Sequence, residues 1–239
     1  MKTLKEYITE GILDIEDNIE NLMEESLIEG FIKANYNTTA KIQIKKNGNK
    51  YMVSTPGTVE VKNNNITELT NGLFEWDEVK SFSCRGCTSL KSLKGAPKYV
   101  GGYFSCDGCK SLKDLIGAPK KVEDFYCRDC TSLESLKGAP EKVSRDFHCN
   151  KCTSLKDLIG APKEVGRDFD CYDCTSLKDL TGAPEEVGRN FNCSRCSSLE
   201  SLKGAPKKVG RDFDCKRCRK KFIEEDVRAV CDVGEVIFV

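Results

Sequence analysis

The chain has little of what most enzymes and membrane proteins need. Its 239 residues include one histidine, His148, and no G-x-S-x-G, P-loop or H-E-x-x-H motif. A lone histidine in a variable position is typical of a surface residue, so we expect no catalytic site. No apolar run reaches the ~18–20 residues that span a bilayer, which predicts no membrane partner. The 38 basic and 38 acidic side chains cancel, so no global charge attracts nucleic acid.

Apolar content is low as well. Hydrophobic residues make up 38% of the chain, below the ~45–50% of globular domains, which favours an elongated fold over a compact one. The charge is uneven, with nine acidic side chains in residues 1–30 and a basic segment near the other end. This basic segment comprises Lys216, Arg217, Arg219, Lys220 and Lys221. Because no aromatic residues are interleaved with it, we interpret it as a solvated end rather than a nucleic-acid site.

Cysteine is the exception, with 15 residues. The opening stretch, MKTLKEYITE, lacks the apolar core of a secretory signal. Without export the thiols stay in a reducing compartment. We therefore expect a cytoplasmic protein with free thiols rather than disulfides.

Fourteen of the cysteines form seven C-x-x-C pairs, and each pair belongs to a copy of one unit. Successive pairs are 22, 21, 22, 22, 22 and 22 residues apart. The unit reads F-x-C-x-x-C-x-S-L-x-x-L-x-G-A-P-x-x-V-x-x-x, and six of the seven prolines lie in its G-A-P. A unit this short cannot bury its apolar face alone, so the repeat predicts stacked coils with one continuous core.

Each position of the unit has a physical role. Phe191 and Cys193 alternate with Asn192, a period of two that predicts a short strand with Phe and Cys on one face. Leu199 and Leu202 follow at a spacing of three, which indicates a tight return. The Gly-Ala-Pro of the unit blocks continuation of a helix and ends that return.

The unit resembles the leucine-rich repeat, whose core is L-x-x-L-x-L-x-x-N/C-x-L. Phe191 and Cys193 take the places of the second and third leucines, and Cys196 takes the N/C position. The return SLKGAP is similar to the short return of bacterial leucine-rich-repeat proteins. The resemblance covers residues 58–239. It implies an α/β repeat solenoid, a curved array with a parallel β-sheet on its concave face and a small αβ cap at the N-terminus.

We predict three segments from these patterns. Residues 1–57 form a capping subdomain with a helix and a β-hairpin. Residues 58–218 form the solenoid of about eight coils, seven of which carry C-x-x-C. Residues 219–239 form a C-terminal cap.

The two ends have patterns of their own. An apolar stripe at helical spacing comprises Ile8, Ile12, Ile15, Ile19 and Leu22. Gly11 is expected to interrupt it, which leaves residues 13–35 as the stable helix, and the segments KIQIKK, NGN and KYMVS then predict a hairpin. We interpret this part as a cap on the first coil, with docking to a partner or dimerisation as the alternative. At the other end we expect a helix from near Glu224 and a strand through Val236 and Phe238.

The first ten residues carry a second resemblance. MKTLKEYITE followed by Gly11 resembles the capsid-targeting leader of internal head proteins of T-even-type phages. The resemblance implies a phage origin and cleavage by the head protease after Glu10. The protein would then act in the bacterial host cell or be packaged in a phage particle.

The C-x-x-C pairs fit three kinds of chemistry. They can hold zinc as thiolates, carry out thiol redox reactions, or form a column of small buried residues. The segment TVEVKNNNITEL fits the same template, with Val61 and Asn64 at the two cysteine positions. Positions that accept valine and asparagine need no thiolate, and seven pairs do not divide evenly into four-thiolate sites.

We therefore predict a structural cysteine ladder without metal or cofactor. The alternative is a zinc-stabilised structural or nucleic-acid-binding protein with the C-x-x-C pairs as ligands. The ladder comprises Cys84, Cys87, Cys106, Cys109, Cys127, Cys130, Cys149, Cys152, Cys171, Cys174, Cys193, Cys196, Cys215 and Cys218.

The variable positions of the unit indicate where it binds. They follow the Phe and the first Cys, and strand alternation places both columns on the concave sheet, where solenoids bind partners. Their mixture of Tyr, His, Arg and Asn is typical of protein contact surfaces. We therefore predict a non-enzymatic interaction module with a protein partner. The predicted contact residues are Tyr126, Arg128, His148, Asn150, Asp170, Tyr172, Asn192, Ser194, Asp214 and Lys216.

A third outward column precedes each Phe. It comprises Asp124, Asp146, Asp168, Asn190 and Asp212. Stacked carboxylates could attract a cation. We expect them instead to pair with the arginines that precede them in the sequence, Arg145, Arg167, Arg189 and Arg211.

Overall fold

The structure is a computed structural model that describes residues 4–239, with side chains described from residue 20 onwards. In chain order its elements are α1 (Leu4–Asn35), β1 (Tyr36–Thr38), β2 (Gln43–Asn47), β3 (Lys50–Val61), β4 (Glu75–Ser83), β5 (Tyr99–Val100), β6 (Tyr103–Ser105), β7 (Lys121–Val122), β8 (Asp124–Tyr126), β9 (Lys142–Val143), β10 (Phe147–His148), β11 (Glu164–Val165), β12 (Phe169–Asp170), β13 (Glu186–Val187), β14 (Phe191–Asn192), β15 (Lys208–Val209), β16 (Phe213–Asp214), α2 (Glu224–Arg228), β17 (Asp232–Val233) and β18 (Ile237–Phe238).

The N-terminal helix is longer than predicted. It runs unbroken for 32 residues through Gly11, because one glycine costs a helix only about 1 kcal/mol. Its last turns bury Ile28 and Ile32 on the body of the protein, and Phe31 meets Phe74 edge to face at 6.2 Å. The four isoleucines of the predicted stripe and the cleavage position lie outside the described side chains, and Leu22, the last residue of the stripe, is exposed. Among the described residues, no helix combines the length and the apolar character that a membrane crossing requires.

The predicted hairpin is confirmed as an antiparallel pair of β2 and β3, with Gly48 in the turn at a φ of 59°. Strand β3 then continues to Val61, so the expected boundary between residues 57 and 58 falls inside it. Beyond the hairpin, β3 runs parallel to β4, with Val59 opposite Phe82. The segment around Val59 is therefore a first coil in register with the repeat.

Two parallel sheets run along the solenoid, which has about eight turns. The long sheet has twelve strands and follows the order β1-β3-β4-β6-β8-β10-β12-β14-β16-β18, with β2 and β5 at its side. The short sheet has six strands in the order β17-β15-β13-β11-β9-β7. The predicted solenoid with a parallel sheet is confirmed, but its class is mostly β rather than α/β. Among the described residues, the helices are α1 before the coils and α2 in the longer last return, between β16 and β17. The returns of the other coils are too short for a helix.

The core lies between the two sheets. The Phe of each complete coil is fully buried, and the seven rings form a column with centroids 5.1–5.6 Å apart. The Val of the unit forms the inward residue of the short sheet, as Val187 does. At the C-terminal end, α2 and β18 lie where the sequence predicts them, and Ile237 pairs with Phe213.

Candidate binding surface on the long sheet

Each coil presents two outward side chains on the long sheet. Phe147 and Cys149 are fully buried, whereas His148 and Asn150 are partly exposed, as the alternation predicts. The first column of outward residues comprises Ser83, Ser105, Tyr126, His148, Asp170, Asn192 and Asp214. The second column comprises Arg85, Asp107, Arg128, Asn150, Tyr172, Ser194 and Lys216.

Most of the first column caps the backbone of its own coil. A short polar side chain there accepts the N–H of the residue two positions later, which is an Asx or Ser turn. The five acceptors are Ser83, Ser105, Asp170, Asn192 and Asp214, at donor–acceptor distances of 3.4, 3.5, 2.9, 3.0 and 3.0 Å. The choice of Ser, Asp or Asn at these positions therefore has a local structural cause.

Tyr126 and His148 are the two members of this column without that turn bond in the described structure. Their strands are adjacent, and the two rings meet edge to face at 5.4 Å. Because the turn does not explain an aromatic side chain here, these positions mark the part of the sheet where another role determines the residue.

We call the six outward residues around this pair the central cluster. It comprises Tyr126, Arg128, His148, Asn150, Asp170 and Tyr172, all of them among the predicted contact residues. Strand pairing sets His148 between Tyr126 and Asp170. The guanidinium of Arg128 lies 5.0 Å from the centre of the Tyr126 ring, and that of Arg195 lies 5.4 Å from the Tyr172 ring. Cations over both tyrosines hold these rings in defined positions.

The Arg128 side chain is held in place by Asp107, which is not among the predicted contact residues. Its Nε and Nη2 donate to Oδ2 of Asp107 at 3.0 and 2.6 Å, and its backbone N–H donates to Oδ1 at 2.7 Å. The hydrogen bonds to Asp107 raise the pKa of Arg128. The alternation Arg85, Asp107, Arg128 down the second column was the signal that could have identified Asp107.

The middle of the central cluster holds polar atoms without partners. His148 Nε2 and Asn150 Oδ1 are excluded from solvent, and neither makes a hydrogen bond in the described structure. Beside them, burial raises the pKa of Asp170. Native proteins leave few such groups unsatisfied, because each costs about 1–3 kcal/mol.

The remaining predicted contact residues continue the two columns, but their polar groups form hydrogen bonds with one another. Ser194 donates through its hydroxyl to Asn192 Oδ1 at 2.7 Å, and Asp214 accepts the N–H of Lys216. The ammonium of Lys216 lies 4.0 Å from the centre of the Phe238 ring. The structure thus brings six of the ten predicted residues into one cluster and places the other four in the two adjacent coils, with Asn192 beside Asp170.

The basic segment beside that region is partly neutralised. Arg219 pairs with Glu200 at 2.8 Å, and Lys220 lies 3.6 Å from Asp226. Two of its five cations therefore have local acidic partners, which weakens a continuous positive patch.

The cysteine ladder is internal. All fourteen of its members are free thiols, and thirteen are buried, with Cys218 half-buried at the end. In successive coils the second cysteine of a pair donates its S–H to the carbonyl of the first cysteine one coil earlier. These donors are Cys109, Cys130, Cys152, Cys174, Cys196 and Cys218, with Sγ···O distances of 3.1, 3.1, 3.1, 3.2, 3.3 and 3.2 Å.

The first coil reproduces only half of this arrangement. Val61 is buried at the position of the first cysteine, but Asn64 is exposed, so its predicted inward orientation is wrong. Ile66 follows Asn64 by two residues, whereas a leucine follows the second cysteine of each complete pair by three. The shorter turn directs Asn64 outward.

The burial of the thiols determines their chemistry. Burial raises the pKa of Cys87 and Cys215 to about 12, and it raises that of Cys149, Cys171 and Cys193. Thiols in this state are poor nucleophiles and poor metal ligands, since both roles need the thiolate. Within the part of the chain whose side chains are described, no group of three or more His, Cys, Asp or Glu residues is arranged to hold a metal ion.

The third outward column forms a ladder of its own. Asp124, Asp146 and Asp168 each accept the backbone N–H of the next coil at 3.1–3.2 Å. Arg145 reaches Asp124 at 3.5 Å, and Arg167 reaches Asp146 at 3.6 Å. Arg145 and Arg167 therefore pair with the aspartate one coil earlier rather than with their sequence neighbour, because the parallel register brings those groups together, whereas Arg211 pairs with Glu235.

The structure is thus a parallel-strand repeat solenoid with a regular cysteine ladder and a polar, aromatic cluster on its long sheet. Its repeat of about 22 residues is the feature that any relative would have to share. Comparison of the chain with known protein families, with curated proteins and with solved structures gives no match.

Proposed function

We propose that this protein is a non-enzymatic binding scaffold that holds a protein partner against the central cluster of its long sheet. The observation that carries the proposal is the pair of unpartnered atoms, His148 Nε2 and Asn150 Oδ1, inside an aromatic cluster. A side chain of a partner that enters here lets both residues turn toward it and form the missing hydrogen bonds.

The composition and rigidity of the cluster support a protein partner. Tyrosine and arginine are enriched among the residues that carry binding energy at protein interfaces. Asp107 and Tyr126 hold the Arg128 side chain from two sides, so less conformational entropy is lost when a partner binds. In the first column, Tyr126 and His148 are the residues that do not serve the turns of their own coils in the described structure, which centres the proposed contact on these two and on Asp170 beside them.

We further propose that the coils are leucine-rich repeats of the cysteine-bearing type and that the protein is encoded by a phage. The first proposal is supported by the match of Phe, Cys and Leu to the repeat template, and the second by the leader-like start MKTLKEYITE. Intact-mass analysis of protein taken from virions tests the leader. Loss of residues 1–10 supports it, and retention of Met1 through Glu10 contradicts cleavage.

The binding proposal is tested by site-specific cross-linking in the native host. A photoreactive phenylalanine analogue is placed at Tyr126, His148 or Tyr172, and in matched controls at Glu164 or Glu186, which are exposed on the short sheet. We expect one discrete adduct from the long-sheet positions and none from the controls. The triple variant Tyr126→Ala/His148→Ala/Tyr172→Ala should then abolish the adduct formed at Asn150 while the thermal unfolding temperature stays close to wild type. Equal adducts from both sheets would place the contact elsewhere.

The zinc-dependent alternative is separated by metal content. Elemental zinc is measured on reduced protein, together with thiol titration before and after denaturation. We expect less than one zinc per chain and most of the 15 thiols to react only after unfolding. Two or three zinc ions per chain, with loss of structure on chelation, would support the alternative.

A further inference from the structure

A pocket of about 420 Å³ lies where the N-terminal hairpin meets the first coils. It is formed by the start of β3, the loop before β4 and the Gly-Ala-Pro return of the next coil. Its volume is within the range of sites that hold small organic molecules. The central cluster lies several coils away, so this pocket is independent of the proposed protein contact.

The walls of the pocket are aromatic and aliphatic. Tyr51, Phe74 and Trp76 line it with exposed fractions of 6%, 4% and 1%, and Leu73 at the edge is 40% exposed. The Phe74 and Trp76 rings meet edge to face at 5.2 Å, so this wall is rigid. Such a surface favours a flat apolar group.

The mouth of the pocket is charged. Glu75 lies between two ammonium groups: it pairs with Lys50 and also accepts from Lys98 at 2.7 Å. The hydrogen bonds from Lys50 and Lys98 lower the pKa of Glu75 to about 2, so the carboxylate is ionised at neutral pH. Two cations and one anion leave a single excess positive charge. Each ammonium carries three donors and uses one on Glu75, so donors remain for an incoming anion.

We propose that this pocket binds a small organic anion, an aromatic or aliphatic body that carries a carboxylate or sulfonate. The apolar body lies against Leu73 and the small exposed parts of Tyr51 and Phe74, with Trp76 behind them. The anionic group lies at the mouth, where Lys50 and Lys98 donate to it in competition with Glu75. A neutral ligand gains nothing from the ammonium groups, and a cationic ligand is repelled by them, so the mouth selects for negative charge.

The test uses two fluorescent probes of nearly the same shape. One is the anion 8-anilinonaphthalene-1-sulfonate, and the other is its uncharged counterpart, N-phenyl-1-naphthylamine. Trp76 is the only tryptophan of the chain, so energy transfer from an excited indole reports a probe bound close to this pocket. We expect saturable transfer to one equivalent of the anion and at least tenfold weaker binding of the neutral probe.

Three variants make the test specific. Lys98→Gln should weaken binding of the anion about tenfold, the value of one charge-assisted hydrogen bond. Glu75→Gln should tighten it several-fold, because both ammonium groups are then free; a misfolded protein would not show this gain. The matched control Lys120→Gln removes a lysine from a similar exposed Lys–Glu pair outside the pocket and should leave binding unchanged.

Absence of energy transfer from Trp76, equal affinity for the two probes, or weaker binding in Glu75→Gln would each overturn the proposal. None of these results depends on Tyr126, His148 or Tyr172. Failure at this pocket is therefore distinguishable from failure of the proposed protein contact.

Discussion

Successive coils stack in parallel in both the long and the short sheet, but different features set the spacing between coils in the two sheets. In the long sheet, side chains set the spacing: seven phenylalanine rings stack at 5.1–5.6 Å with the cysteines beside them. In the short sheet, the spacing between coils depends on glycine, which has no side chain. After four of its six inward Val residues comes a glycine, Gly166, Gly188, Gly210 or Gly234, where an added Cβ would lie 2.0–2.2 Å from a carbonyl oxygen of the preceding coil.

The exception in the glycine column shows the cause. Ser144 occupies the same position, and it faces the one coil that is 21 rather than 22 residues long. Its N–H bonds to Val122 and the next N–H bonds to Glu123, whereas Gly166 and Arg167 bond to Val143 and Arg145. Each 22-residue coil thus has one extra residue whose carbonyl oxygen projects toward the next coil. The residue of the next coil that faces this oxygen has to be glycine. On the outside of the long sheet several residue types satisfy the turn, whereas the short sheet requires glycine at these four positions.

The largest expected effect is the response of the two sheets to pH, because the long sheet buries a column of thiols, whereas the buried thiol beside the short sheet is Cys231. Burial raises the pKa of Cys87 and Cys215 to about 12 and also raises that of Cys149, Cys171 and Cys193, whereas hydrogen bonds lower the pKa of Cys130 and Cys218. For the thiols with a raised pKa, the contribution to stability is complete below about pH 8.5, the ordinary pKa of a thiol in the unfolded chain, and is lost as the pH rises toward about 12. Each thiol removes up to about 1.4 kcal/mol per pH unit in that window. We therefore expect cooperative unfolding near pH 9–10, measured by circular dichroism under reducing conditions.

The control for this prediction removes thiols without removing volume. In the double variant Cys171→Val/Cys193→Val, valine takes the position that Val61 already occupies in the first coil. The alkaline midpoint should move to higher pH, and its steepness should decrease. An unchanged midpoint would assign the transition to other groups.

The next effect tests the glycine column. Gly188→Ala places a Cβ 2.2 Å from the carbonyl oxygen of Gly166, so one coil has to shift against its neighbour. We expect a loss of about 1–3 kcal/mol in the free energy of unfolding, measured with urea. Gly30→Ala is the matched control: it lies in α1 with open space around it and should gain up to about 1 kcal/mol. If both substitutions have the same sign, the contact between carbonyls does not limit the short sheet.

The smallest effect separates the two cysteines of one pair. Cys196 donates to the carbonyl of Cys171 at 3.3 Å, whereas Cys193 mainly fills space. Cys196→Ala should cost about 1–2 kcal/mol, and Cys196→Ser should recover part of that loss because its hydroxyl can still donate. Cys193→Val should cost about 1 kcal/mol or less. Equal losses for Cys196→Ala and Cys196→Ser would mean that the hydrogen bond contributes nothing.

Much of the fold follows from positions that are repeated. Alternation around Phe191 and Cys193 predicts the strand and its buried face, and the spacing of Leu199 and Leu202 predicts the buried return; all four are buried. Stacking at a fixed period makes each of these inferences apply to every coil. The first coil around Val59 could be aligned for the same reason, although it has no cysteine.

The features that the sequence did not predict depend on contacts between coils. The short sheet has only two residues per strand, so a single Val187 gives no period to detect. The pairing of Arg145 with Asp124 and of Arg128 with Asp107 joins residues 21 positions apart, which becomes visible only in register. The predicted interruption of α1 at Gly11 is wrong because it rests on the helix propensity of one residue rather than on the propensity summed over all 32 residues of the helix. The central cluster was within the predicted contact residues, but only the turn bonds distinguish it from the rest.

The stacking direction has a mechanical consequence. Backbone hydrogen bonds of both sheets run along the solenoid axis, so a force applied between Tyr36 and Phe238 pulls neighbouring coils apart one bond row at a time. Each coil that peels away releases 22 residues, or roughly 70 Å of extended chain beyond its stacked thickness. The molecule therefore behaves as a series of equal breakable links, and under tension it lengthens in regular steps instead of failing in a single event.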